Sequence, residues 1–203
     1  MDRLIIIGAG GHGKVLADAA EKTKNYKAIA FLDDKAQGSR LGYPIIGASS
    51  DAKKYLSDSE FIVAVGAADA RERIMKELMA LGAALATIVH PAAVIGKDVS
   101  IGAGSAVLAG AVVNPSAKIG AGCIINTRAS VDHDCEIGEF SHISPGATLS
   151  GEVKLGARSW VGAGATVINC ISICEGCTVG AGAVVIRDIT YAGTYVGVPA
   201  RKI

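Results

Sequence analysis

From Val89 to Val185 an aliphatic side chain returns at every sixth position, and that one regularity excludes most architectures. The anchors run without a break from Val89, Ile95 and Ile101, through Val131, Ile137 and Ile143, to Ile173, Val179 and Val185. A period of six is neither the 3.6 of a helix nor the 2 of a strand. It is the hexapeptide repeat of a parallel β-helix, in which three hexads close one triangular coil of eighteen residues. Anchors fill the prism, and a second small or apolar residue four positions on (Ser105, Ala111, Cys123, Ala129, Cys135) sits beside them. Glycine often follows the anchor, as at Gly102, Gly120, Gly138 and Gly156, where a corner needing positive φ is expected. No coil has a core of its own, so stability comes from stacking.

Residues 1–88 carry a different pattern, that of a small α/β domain. Leu4–Ile7, Ala28–Leu32 and Phe61–Val65 read as apolar strands. Lys14 to about Lys24, Ser49–Leu56 and Asp69–Leu81 read as helices, the second capped and the third burying Ile74, Leu78 and Leu81. The boundary falls near residue 88 without a flexible linker, which predicts a rigid joint between an N-terminal unit (1–88) and the β-helix with its tail (89–203).

A net charge of +1 gives no electrostatic reason to expect nucleic acid or an acidic membrane as partner. There is neither a secretory signal pattern nor an apolar run long enough to span a bilayer, so a cytoplasmic location and five reduced cysteines are expected.

Three places carry chemistry. Gly8, Gly10 and Gly13 match G-x-G-x-x-G between a strand and a helix, with Asp33 twenty residues beyond. Backbone amides and a helix N-terminus in such a loop hold phosphate. Fewer than ninety residues supply about one of the two halves that a full dinucleotide fold needs, so a nucleotide diphosphate bearing another group fits better than NAD. A tight turn without a ligand is the plain alternative.

The second place is Val131-Asp132-His133-Asp134-Cys135. Repeat phase turns Val131 and Cys135 inward and His133 outward, beside a carboxylate that can orient it as a general base. His142, nine residues on, is half a coil away and also faces out, which predicts a threefold assembly sharing its active site between chains. The third place, Cys170, Cys174 and Cys177, suggests a metal, but packing explains Cys177 and no histidine completes a zinc pattern. No metal is expected. Arg201 and Lys202, at the end of the chain, are either solvated or set to meet phosphates.

Taken together, Ile7-Gly8-Ala9-Gly10-Gly11-His12-Gly13-Lys14-Val15, Phe31-Leu32-Asp33-Asp34, His90-Pro91, His133-Asp134, Gly138-Glu139-Phe140-Ser141-His142 and Gly197-Val198-Pro199-Ala200 resemble the bacterial hexapeptide acetyltransferases of nucleotide-activated amino sugars. The bacillosamine-pathway N-acetyltransferases typify that family, and the sialic acid O-acetyltransferase-like proteins share the pattern.

The resemblance implies a Rossmann-like domain followed by a left-handed β-helix, assembled as a homotrimer. It implies acetyl-CoA as cosubstrate and a UDP-linked 4-amino-4,6-dideoxy sugar as acceptor. Gly10, Gly11 and His12 would hold the nucleotide, with Asp33 and Asp34 near base or ribose and Gly66 lining the pocket. His133 would be the base, with Asp134 where relatives usually carry glutamate. Asn126 would touch the sugar. His142 and the backbone at Gly151, Ala163 and Ala181 would line the acetyl-CoA groove, with an amide near Gly151 as oxyanion donor. An O-acetyltransferase, a nicotinamide-dependent oxidoreductase and a non-catalytic scaffold are the competing readings.

Overall fold

The structure, a computed structural model, describes residues 2–203. It divides into two compact units, Met1–Pro91 and Ala92–Ile203.

In the first unit four parallel strands form a sheet in the order β2-β1-β5-β6. These are β1 (Arg3–Ile7), β2 (Ala28–Leu32), β5 (Ser59–Val63) and β6 (Ala84–Leu85), with a small hairpin of β3 (Ser39–Arg40) and β4 (Tyr43–Pro44) between β2 and β5. Leu4, Ile5 and Ile6 of β1 are wholly buried, as the continuous apolar run of a central parallel strand requires. Helix α1 (Gly11–Thr23) starts three residues before the expected Lys14, directly out of the glycine loop, and ends at Lys24 in the left-handed conformation.

One expectation for this unit is refined and one is corrected. Residues Ser49–Tyr55 form a 3-10 helix with Ala48 at its N-cap, and Asp51 Oδ2 accepts the Ala48 N–H at 3.1 Å. Helix α2 (Ala68–Ala80) buries Arg71, Met75 and Leu78. Leu81, past the end of α2, is 49% exposed, and Ile74 is half-buried. Apolar periodicity misjudged the inward face because one of its members is an arginine.

The second unit is a three-faced prism of two-residue strands paired in parallel at a spacing of eighteen. The first face carries Ala106–Val107, Ile124–Ile125, His142–Ile143 and Trp160–Val161. The second runs from Val94–Ile95 through Ser130–Val131 to Val184–Val185, and the third from Ser100–Ile101 to Ser172–Ile173. Anchors from Val107 to Val185 are at most 3% exposed. Burying each such side chain is worth about 1.5–3 kcal/mol. After the last coil, Gly193–Val196 pairs in parallel with Cys177–Val179 and then antiparallel with Arg201–Lys202.

The corners differ from the expectation. Every residue three after an anchor, from Asp98 to Gly182, has φ between 55° and 73°, whether glycine or not. Glycine directly after the anchor serves close packing instead. On the corner after the third face a Cβ at Gly102, Gly120, Gly138 or Gly156 would stand 2.3–2.7 Å from backbone of the next coil. At that corner the inward slot is polar throughout: Ser105, Cys123, Ser141, Ser159 and Cys177. Ser105 Oγ donates to the Gly120 carbonyl at 2.9 Å and accepts from Cys123 N at 2.9 Å, and Ser141 and Ser159 repeat the arrangement. A side-chain ladder thus satisfies backbone groups inside the prism. Among the described residues no helix is long and apolar enough to cross a membrane.

Candidate active site

In the first unit the chemistry gathers at the glycine loop. Gly8 has φ +106°, and a Cβ on Gly13 would lie 2.1 Å from the Gly8 carbonyl oxygen, so α1 folds back tightly on the end of β1. Gly10 caps α1 without a side-chain bond, and no acidic residue stands in its first turn. That leaves the helix N-terminus open toward a negative ligand.

Asp33 and Asp34 close β2. Asp33 Oδ2 accepts from Ala9 N at 2.7 Å, while its Oδ1 accepts from Lys35 N and Ala36 N at 2.9 and 2.7 Å. These backbone donors, Ala9 first, hold the carboxyl below the usual range. Asp33 therefore braces the glycine loop. Asp34 accepts from Ser49 N at 2.8 Å and lines two neighbouring hollows of about 250 and 270 Å³.

His12 is half-buried, but its Nε2 is shielded from solvent and meets no hydrogen-bond partner. Burial, with the nearby Arg71 charge, lowers its pKa to about 4, so the ring is neutral at physiological pH. Gly66 lies in the β5–α2 turn, and its carbonyl accepts from Arg71 Nη1 at 2.7 Å.

In the second unit, His133 stands on the corner after the second face, pointing out as the phase predicts, with its side chain 54% exposed. Its Nδ1–H donates to Asp134 Oδ2 at 2.8 Å, so one methylene fewer than glutamate still reaches the ring. The carboxylate fixes the tautomer and leaves Nε2 as the free lone pair. The Asp134 bond, more than any other influence, raises the His133 pKa.

The coils before and after hold this corner in place. Asp132 Oδ1 accepts from Asn114 Nδ2 at 2.7 Å and from His133 N at 2.8 Å, and the His133 carbonyl accepts from Glu152 N at 2.9 Å. Gly151, one coil further, lies under the imidazole. Its carbonyl accepts from Cys170 N, while its own N–H donates to none of the described residues.

His142 sits on the first face in a cluster of its own. Asn126 Oδ1 accepts from Thr127 N at 2.8 Å, which turns Nδ2 toward His142 Nε2 at 3.0 Å. With the amide nitrogen of Asn126 as donor, Nε2 of His142 is the acceptor of this bond. Its ring stacks on Trp160 with planes 2° apart and centroids separated by 5.9 Å, and Trp160 Nε1 donates to Ser144 Oγ at 2.6 Å. Ala163 and Ala181 are exposed on the corner after this face, with Gly182 N donating to the Ala163 carbonyl at 2.9 Å.

Cys174 and Cys177 bring their sulfurs to 3.4 Å, and Cys170 is exposed on a different corner. Among the described residues no three His, Cys, Asp or Glu side chains gather as a metal set.

Four residues that sequence reasoning passed over belong to these clusters. Asn114 lies eighteen before Asp132 and Trp160 eighteen after His142, so the repeat itself points to both. Asp132 adjoins His133 and was passed over for Asp134. Arg71 gives no such signal.

Residues 3–78 match the family described as PglD N-terminal domain, and residues 116–151 match the bacterial transferase hexapeptide (six repeats). UDP-N-acetylbacillosamine N-acetyltransferase of Bacillus subtilis (strain 168) is 38% identical over 113 residues, which cover 54% of this chain and 52% of that protein. The chain thus spans about half the length of this curated relative. The acetyltransferase domain of PglB from Neisseria gonorrhoeae FA1090 superposes with a TM-score of 0.98 at 42% identity, covering 100% of both chains, and is also known in complex with acetyl coenzyme A. PerB from Caulobacter crescentus, in complex with CoA and GDP-perosamine, superposes with a TM-score of 0.93 at 34% identity, covering 98% of this chain and 96% of that one.

Proposed function

This chain belongs to the hexapeptide-repeat acetyltransferases that carry a PglD-type N-terminal domain, and we propose that it acetylates the 4-amino group of a UDP-linked 4-amino-4,6-dideoxy sugar with acetyl-CoA. The observation that carries this reading is the His133–Asp134 pair, bonded at 2.8 Å and seated over Gly151 of the next coil. It provides an exposed imidazole with a free Nε2, a raised basicity and a backbone N–H close by.

The reaction is direct transfer. The sugar amine attacks the thioester carbonyl while His133 Nε2 takes the amine proton. The Gly151 N–H stabilises the oxyanion of the tetrahedral intermediate. Collapse breaks the C–S bond, and the proton on His133 passes to the departing CoA sulfur. Holding both substrates together supplies the orientation term, so no acyl-enzyme is needed. No cysteine stands outward beside His133: Cys135 is buried, and burial raises its thiol pKa.

The nucleotide is held at the α1 N-terminus and His12, with base or ribose in the hollows lined by Asp34. His142 and the Ala163–Ala181 corner line the path of acetyl-CoA. Three chains assemble so that one supplies His133 and the next His142, within the cytoplasm.

A thiol-release assay with acetyl-CoA and a panel of UDP- and GDP-linked 4-amino-4,6-dideoxy sugars, with free and CMP-linked sialic acid alongside, tests the reading. Turnover with a UDP-amino sugar, abolished in His133→Ala, is expected. Turnover confined to a GDP-amino sugar moves the carrier to the one bound by PerB, and turnover confined to sialic acid overturns N-acetylation.

A further inference from the structure

Arg71 is 1% exposed, the one charged side chain buried to that degree among the described residues. Burying a guanidinium carries a large desolvation penalty that packing alone gives no reason to accept. Its bonds offer the reason. Nη1 donates to the carbonyls of Val65 at 2.8 Å and Gly66 at 2.7 Å, in the turn between β5 and α2. That turn abuts the glycine loop. Ala64 N donates to the Ile7 carbonyl at 2.8 Å, and the Ala64 carbonyl oxygen lies only 3.3 Å from a Cβ built on Gly8.

Resting on the nucleotide-sugar reading above, we propose that Arg71 is a positioning residue of the sugar-nucleotide site, fixing the Val65–Gly66 turn beside the glycine loop as the wall against which α1 and His12 receive the diphosphate-linked ligand. The guanidinium also shapes how His12 acts. The charge that acts on the imidazole is that of Arg71, from α2, while the Asp33 carboxylate at the end of β2 is engaged by the amides of Ala9, Lys35 and Ala36. With the cation on one side and burial around it, the ring stays neutral and its orphaned Nε2 is reserved for a hydrogen bond to the ligand. The diphosphate charge is then met by the open amides of α1 and not by an imidazolium.

Arg71→Met and Arg71→Lys in the full chain, with UDP as calorimetric probe and steady-state kinetics for both substrates, test the role. For Arg71→Met, the Kd of UDP and the KM of the nucleotide sugar should rise by about tenfold to a hundredfold, the loss of one to two well-made charged bonds. The KM of acetyl-CoA should stay unchanged and kcat should fall by no more than about threefold. Arg71→Lys, with one ammonium reaching the same carbonyls, should recover part of the loss. Imidazole nitrogen NMR should find His12 neutral down to about pH 5 in the wild type, and its titration should move upward in Arg71→Met while staying below the ordinary value, because burial, the larger cause, remains.

A folded Arg71→Met that binds UDP within twofold of a binding wild type overturns the proposal, as does a KM change shared equally by both substrates. Should Arg71→Met not fold, Arg71→Lys decides: an unchanged UDP Kd there overturns it. A wild-type protein with no affinity for UDP or the UDP-sugar overturns the underlying reading instead, and is distinguishable on that ground.

Discussion

The imidazole of His133 lies across Gly151 of the following coil, so close that a Cβ built on Gly151 would stand 2.6 Å from both Cε1 and Nε2. The floor beneath the His133 ring is thus a missing side chain. Gly151 shows no left-handed φ that would itself demand glycine, so the requirement comes from the ring above it.

Gly151→Ala should therefore separate stability from rate. An exposed imidazole swings aside at little cost, so urea unfolding should change by less than about 1 kcal/mol. The same swing moves Nε2 by an ångström or more, and kcat should fall by about a hundredfold. An alanine variant with wild-type turnover would remove Gly151 from the site.

If His133 is the base, Asp134 sets the pH dependence of the reaction. A base works only when deprotonated, and the Asp134 bond raises the pKa of His133 above the ordinary 6.5. The acid limb of kcat/KM should accordingly lie above that value. In Asp134→Asn the largest cause of the shift is gone, so the limb should move to lower pH. The plateau should drop by about tenfold or more because the tautomer is no longer fixed. A limb that stays in place would show another group to be the titrating base.

Trp160 is the only tryptophan, and it stacks on the ring of His142. If His142 borders the path of acetyl-CoA, adding acetyl-CoA should change the tryptophan emission in proportion to occupancy. The change should be much reduced in His142→Ala. Calorimetric binding of acetyl-CoA with a constant emission spectrum would put the cofactor elsewhere.

The glycine column after the third face should be sensitive to a single methyl group. A Cβ at Gly138 would sit 2.4 Å from the backbone nitrogen of Ala157, which cannot yield without shifting a coil. Gly138→Ala should cost about 1–3 kcal/mol or more in urea unfolding. Substitution at the exposed Lys154, by contrast, should lie within about 0.5 kcal/mol of wild type. Equal stability of the two variants would mean that the corner is looser than its spacing implies.

Much of this was legible in the sequence because a β-helix repeats its physics every eighteen residues. Phase alone turned Val131 and Cys135 inward and His133 outward, and eighteen-residue offsets lead from Asp132 to Asn114 and from His142 to Trp160. What escaped was whatever depends on neighbours that no period records. The left-handed corner falls three residues after each anchor and is occupied by Asp134, Phe140 or Arg158 as readily as by glycine, so composition hides it. The glycines that do stand out answer to the backbone one coil away. In the α/β unit, apolar periodicity gives no signal for a buried Arg71, and its carbonyl partners explain why it points inward.

The eighteen-residue spacing also makes the prism a ruler, and its graduations limit how this protein can change length. A whole extra coil inserted before Asn114 would lengthen the rod and leave the contacts among Asn114, Asp132, His133, Asp134 and Gly151 intact. The same eighteen residues inserted between His133 and Gly151 would put a stranger's corner beneath the imidazole, while a single inserted residue would turn each later anchor out of the core. Growth is therefore quantised, and one interval on the scale is closed to it.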